Sequence, residues 1–175
     1  RAEARPIGSR ALFRVGPGVL EPIAVPPRGY DDMLVGAMGN QTLLEGLPGG
    51  GVLLVHQFFA PRAFRVDGDG SVASLRVPTP DATVEHVGFV PRPPLTDEQY
   101  GEMLVPAIAL GVDHGRAEVY LLTRSGRARD GRLERALIRT DDRLGYLGSY
   151  TLDAHALHLA ILPRRGAAVV VDDLD

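Results

Sequence analysis

The chain has 175 residues and a mass of 18.8 kDa, with 45% apolar and 23% charged residues. That balance excludes a disordered chain, a collagen-like rod and a coiled coil, and it suits one packed domain. A formal charge of −3 gives no general attraction to nucleic acid or anionic lipid. The absence of cysteine removes disulfides, thiolate nucleophiles and cysteine metal sites, and leaves the compartment undetermined.

All 19 basic residues are arginine, so Schiff-base chemistry, a P-loop lysine and lysine modification are also removed. With Arg1 in place of methionine, the chain reads as a processed product, an excised domain or a fragment of something longer. No signal-peptide pattern opens it. Apolar runs such as Val52 to Val55 fall far short of the roughly 18 residues that cross a bilayer as a helix. Glycine and proline together make up a fifth of the chain, which predicts many short elements joined by turns.

The first half reads as strands. Ala11 to Val15, Val19 to Val25, Gly51 to Phe59, Ala63 to Val66, Val72 to Val77 and Thr83 to Val90 are rich in β-branched or aromatic residues and bounded by Gly, Pro or Asp. Val52 to Val55 is apolar on both faces, as a central strand covered on both sides requires. Asp67-Gly68-Asp69-Gly70-Ser71 predicts a hairpin, because its residues tolerate positive φ. A calcium loop of the EF-hand kind needs Gly at its sixth position and Glu at its twelfth, where this chain has Val72 and Pro78. Val90 to Pro94 is stiff enough to mark a seam, near 90–95, within a single β-rich domain.

Thr96-Asp97-Glu98-Gln99 has the form of a capping box and predicts a helix starting at Thr96. Tyr100, Met103, Leu104 and Ala107 would share one face, and Pro106 would kink or end it. Strands resume with Ala117 to Thr123 and Leu133 to Thr140, joined by a second, longer hairpin. Thr151 to Leu162 fits two periods, and its Ala and Leu content favours a second short helix over a strand. Ala168 to Val171 forms a last strand before an acidic tail. The expected fold is α+β, mainly antiparallel β of a sandwich or barrel kind, with one or two short helices.

Six arginines, at 124, 127, 129, 132, 135 and 139, oppose only Asp130 and Glu134 within sixteen residues. That stretch carries +4, which leaves −7 for the rest of a chain whose total is −3. Arg124, Arg127, Arg129, Arg132 and Arg135 are the candidate binding residues, since guanidinium groups on a hairpin offer planar donors to carboxylates or phosphates. A solvated turn with arginines paired to Glu118, Glu134 and Asp141 accounts for the same residues without function. No aromatic residue interleaves the cluster, so base stacking is not encoded there.

His155 and His158 would point the same way on a helix and would face opposite sides on a strand. His114, between Gly111 and Gly115, occupies a turn where it could act as a base. These three are the candidate catalytic residues. His56 and His86 look like hydrogen-bonded strand residues. No metal-ligand pattern, nucleophile elbow or phosphate-cradling loop is present, and no metal or cofactor is expected. The sequence therefore points to a non-catalytic binding or assembly module whose arginine hairpin contacts an acidic protein partner or a neighbouring subunit. The rival is a small β-barrel or sandwich enzyme using His and Asp proton chemistry on an anionic small molecule.

Overall fold

The computed structural model describes residues 12–24, 41–57, 61–78, 105–127, 133–152, 156–163, 165 and 167–172. Among them are twelve strands and no helix. β1 (Leu12–Gly16) and β2 (Val19–Ala24) form a two-stranded ribbon. β3 (Thr42–Gly46), β4 (Val52–His56), β5 (Arg62–Val66) and β6 (Val72–Arg76) form an antiparallel meander, the first four-stranded sheet. β7 (Val105–Asp113), β8 (Glu118–Arg127), β9 (Leu133–Asp141) and β10 (Tyr146–Leu152) form the second. β11 (Ala156–Leu162) and β12 (Ala167–Asp172) close the described chain as a hairpin.

The alternation of side chains decides what each sheet buries. In the first sheet, register puts Leu43, Val55, Ala63 and Leu75 in one row, with Leu53 beside them on the same face. In the second, Leu110, Leu121 and Ile138 form a row, with Val119 on that face. These residues, with Leu47, Val77, Ala107 and Leu144, make one core cluster drawn from both sheets. The sheets approach most closely along β3 and β7. Thr123 and Thr140 lie on the buried face of the second sheet, and each donates its hydroxyl to a main-chain carbonyl, which satisfies the polar atom.

Both sheets are also covered on parts of their other faces. Leu54, Phe64 and Val66 form a second buried cluster behind the first sheet, so β4 is a central strand apolar on both sides, as its sequence predicts. Behind the second sheet, Leu159 and Ile161 of β11 rest against Gly111 of β7. A Cβ at Gly111 would lie 2.6 Å from Ile161 Cγ1, so glycine is what lets the hairpin approach this closely.

The helix expected over 151–162 is not there. Residues 146–152 belong to β10 and 156–162 to β11. In β11, Leu159 and Ile161 point to the sheet while His158 and Ala160 are exposed, so burial with period two overrides the helical preference of Ala and Leu. The capping box at Thr96 and the strand expected over 83–90 lie outside the described residues. Ala107, placed on the helix face by sequence, is instead a core residue of β7, which starts at Val105.

The turns follow from local chemistry. Between β5 and β6, Gly70 donates its amide to the Asp67 carbonyl, Asp67 donates to the Ser71 carbonyl, and Gly70 takes φ +85°. This is a type I turn closed by a left-handed residue, the hairpin expected there. Pro48 and Gly49 (φ +87°) make a type II turn between β3 and β4.

Candidate functional site

The pairing of β7, β8 and β9 brings three carboxylates into one lateral row, Asp113 opposite Glu118 and Glu118 opposite Asp141. Each begins or ends a strand at a turn, where aspartate accepts the amides that a hairpin leaves over. Asp113 Oδ1 accepts the amide of Gly115 at 2.9 Å, and Asp141 Oδ1 accepts those of Arg143 and Gly145 at 2.8 and 2.7 Å. Asp113 is 1% exposed, and its Oδ2 has no hydrogen-bond partner. Glu118 Oε2 accepts the Tyr120 hydroxyl at 2.7 Å and lies 4.0 Å from Arg139 Nε, beyond hydrogen-bond reach but close enough for Coulomb attraction. Burial, and then the adjacent Glu118 carboxylate, push the Tyr120 phenol up to about 12.

The same end of the molecule carries the β5–β6 turn. Arg65 reaches from β5 to Asp142 in the β9–β10 turn, with Nη1 at 2.9 Å from Oδ2, while its Nε lies 2.8 Å from Asp67 Oδ1. These two carboxylates raise the Arg65 guanidinium above its ordinary value, Asp67 contributing most. Asp69 accepts the Ser71 amide at 2.9 Å, which lowers its carboxyl below the usual range. Asp67, Asp69, Asp113, Glu118, Asp141 and Asp142 thus gather around three neighbouring turns.

Of the predicted binding arginines, Arg124, Arg127 and Arg135 lie toward the other end. β8 runs to Arg127 and β9 starts at Leu133, so the expected second hairpin has its two strands paired. Arg124 stands directly opposite Arg135 in register, and Arg127 opposite Leu133. Arg135 is only 8% exposed, so it is anchored in the sheet rather than extended into solvent. Arg129 and Arg132 lie outside the described residues.

The predicted catalytic histidines do not converge among the described residues. His114 is exposed at the tip of the β7–β8 turn, where its neighbour Asp113 bonds the Gly115 amide. His158 is exposed on β11, a strand, so the helical face that would have aligned it with residue 155 is absent at that position. His155 itself lies outside the described residues. His56 is buried in β4 with its ring edge-on to Phe64 at 5.6 Å. Among the described residues no group of three His, Asp or Glu side chains is disposed to hold a metal ion, and no helix is long and apolar enough to cross a membrane.

Sequence reasoning missed the carboxylate row. Its signal was an aspartate at the last residue of β7 and of β9, each followed within four residues by glycine. Comparison with protein-family models, with curated proteins and with solved structures found no significant match.

Proposed function

We propose that the chain is a non-catalytic binding or assembly module whose β8–β9 hairpin engages an acidic face of a protein partner or of a neighbouring copy. The supporting observation is a separation of charge along the second sheet. Glu118 opens β8 and Arg127 ends it, nine residues on, a span of about 30 Å at strand rise. At the Glu118 end, Asp113, Glu118, Asp141 and Asp142 outnumber Arg116, Arg139 and Arg143, whereas toward the other end Arg124, Arg127 and Arg135 outnumber Glu134.

Opposite charge on a partner would steer encounter and fix orientation more than it would add affinity. The acidic turn end of another copy has the sign that the hairpin requires.

The test replaces Arg124, Arg127, Arg129 and Arg132 by Gln and compares both proteins between about 0.05 and about 0.5 M salt, a range across which screening shortens severalfold. Retention on immobilised polyglutamate and sedimentation are the readouts. The natural chain should be retained or associate at low salt and be released at high salt, and the variant should do neither. Identical behaviour of the two proteins at both salt levels would overturn the reading.

A further inference from the structure

The two four-stranded sheets have four edge strands among the described residues. β3 and β7 approach one another, and β7 is also covered by β11. β6 ends with Arg76 opposite Arg62, a charged guard of the kind that blocks pairing with another chain. β10 has no such guard. From Leu144 to Leu152 the sequence contains neither a charge nor a proline. Tyr146, Leu147 and Tyr150 are 56%, 46% and 57% exposed, although β9 pairs with one side of the strand. Its single irregularity falls between Tyr146 and Gly148. From Gly148 to Leu152 the register is unbroken, and among the described residues no strand pairs with the opposite edge, which carries a regular row of main-chain donors and acceptors.

We propose that β10 pairs antiparallel with β10 of a second copy of this chain, joining two four-stranded sheets into one of eight strands about a two-fold axis at Tyr150. The sequence favours this occupant over a foreign strand. A centre at Tyr150 uses the whole regular stretch, placing Tyr150 against its own copy, Gly148 opposite Leu152 and Ser149 opposite Thr151. Directly opposed residues share a face, and paired aromatics and paired hydroxyl residues are favourable cross-strand combinations. A leucine opposite a glycine has room to lie across it. The strand carries no charge, so it does not repel its own copy and offers a charged peptide nothing to read. The contact is self-complementary, as a two-fold interface must be. The regular stretch from Gly148 to Leu152 is far shorter than the roughly 20–30 residues a side of a standard interface, so the dimer is weak and concentration-dependent.

This surface is separate from the arginine hairpin, and the experiment keeps the two apart. Sedimentation from about 1 μM to about 1 mM should show a reversible monomer–dimer equilibrium that persists in high salt. Tyr150→Lys places like charges across the axis and should leave a monomer at every concentration in high salt, where contacts of the arginine hairpin are screened. Tyr150→Thr, which keeps a strand-forming residue at an exposed site, should weaken dimerisation severalfold and stands in if the lysine variant does not fold. Val72→Lys, at an exposed position on β6, should dimerise like the natural chain.

Because the chain has no cysteine, S149C and T151C each introduce a single thiol. Mixed and mildly oxidised, they should give severalfold more of the crossed disulfide than either gives alone, since only that pair is directly opposed. A natural chain that stays monomeric at the highest concentration would overturn the proposal. So would a Tyr150→Lys variant that dimerises unchanged, or a dimer that high salt dissolves.

Discussion

Leu144 holds φ at +63°, the left-handed conformation that Gly70 occupies at the matching position of the β5–β6 hairpin. For a residue with a Cβ this costs about 1–2 kcal/mol. The conformation is held because the side chain is buried in the cluster shared by the two sheets. Leu144→Ala should therefore cost about 3 kcal/mol, by loss of packing with the strain retained. Leu144→Gly loses the same packing but releases the strain, and should be about 1 kcal/mol more stable than the alanine variant. Urea unfolding of both variants checks the order, and a glycine variant weaker than alanine would show that the backbone is not strained there. Tyr120 is a second residue whose burial carries a consequence. Its phenol is pushed from 10 to about 12, so the folded state keeps the proton while the unfolded chain loses it. The resulting stability is complete below pH 10 and declines as pH rises toward 12, by about 2–3 kcal/mol in total. Tyr120→Phe should lack that alkaline decline, and its absorbance titration should lack a phenolate step near pH 12 that the natural chain shows.

Among the elements, the docking of the β11–β12 hairpin depends on the missing side chain at Gly111. Gly111→Ala would press a methyl group into Ile161 and should destabilise the protein by about 1–3 kcal/mol. Adding Ile161→Ala empties the space that the methyl needs, so the double variant should be more stable than the sum of the two single changes predicts. Strict additivity, measured by urea unfolding of all four proteins, would mean that β11 does not rest there. The same element shows where the sequence was legible and where it was not. β4 was readable because four consecutive apolar residues left no helical alternative of that length, and the β5–β6 turn because Asp and Gly alternate at the sites that a left-handed residue requires. β11 was misread because Ala and Leu fit both periods, and only the sheet beneath Leu159 and Ile161 selects one of them. β3, β7 and β10 went unread for different local reasons. Thr42–Gly46 has just three apolar or β-branched residues before glutamate, Val105–Asp113 contains proline and two alanines, and Tyr146–Leu152 is interrupted by glycine and a bulge. In each case pairing with a neighbour, rather than local preference, makes the strand. The carboxylate row was invisible for the same reason, because register alone brings Asp113, Glu118 and Asp141 together.

Across the whole molecule, the two sheets are joined by an apolar cluster and, at the acidic end, by a polar tie. Arg65 lies on the core-facing side of β5, level with Leu53, and extends past the apolar residues to Asp142 in the turn of the other sheet. Its Asp67 partner belongs to its own sheet, so only the Asp142 contact resists separation of the two layers. Both side chains are partly exposed, which limits the pair to about 1 kcal/mol once solvent screening is included. Arg65→Gln should lower stability by roughly that amount or slightly more, because Asp67 also loses its cation. The discriminating measurement is the cycle with Asp142→Asn. A coupling of about 0.5–1 kcal/mol at low salt that shrinks in about 1 M salt would identify the ion pair as a tie between sheets. A coupling of zero at low salt would leave the apolar cluster as the whole of what holds the layers together. In that case charge at this end of the molecule would be free to serve an external partner without affecting stability.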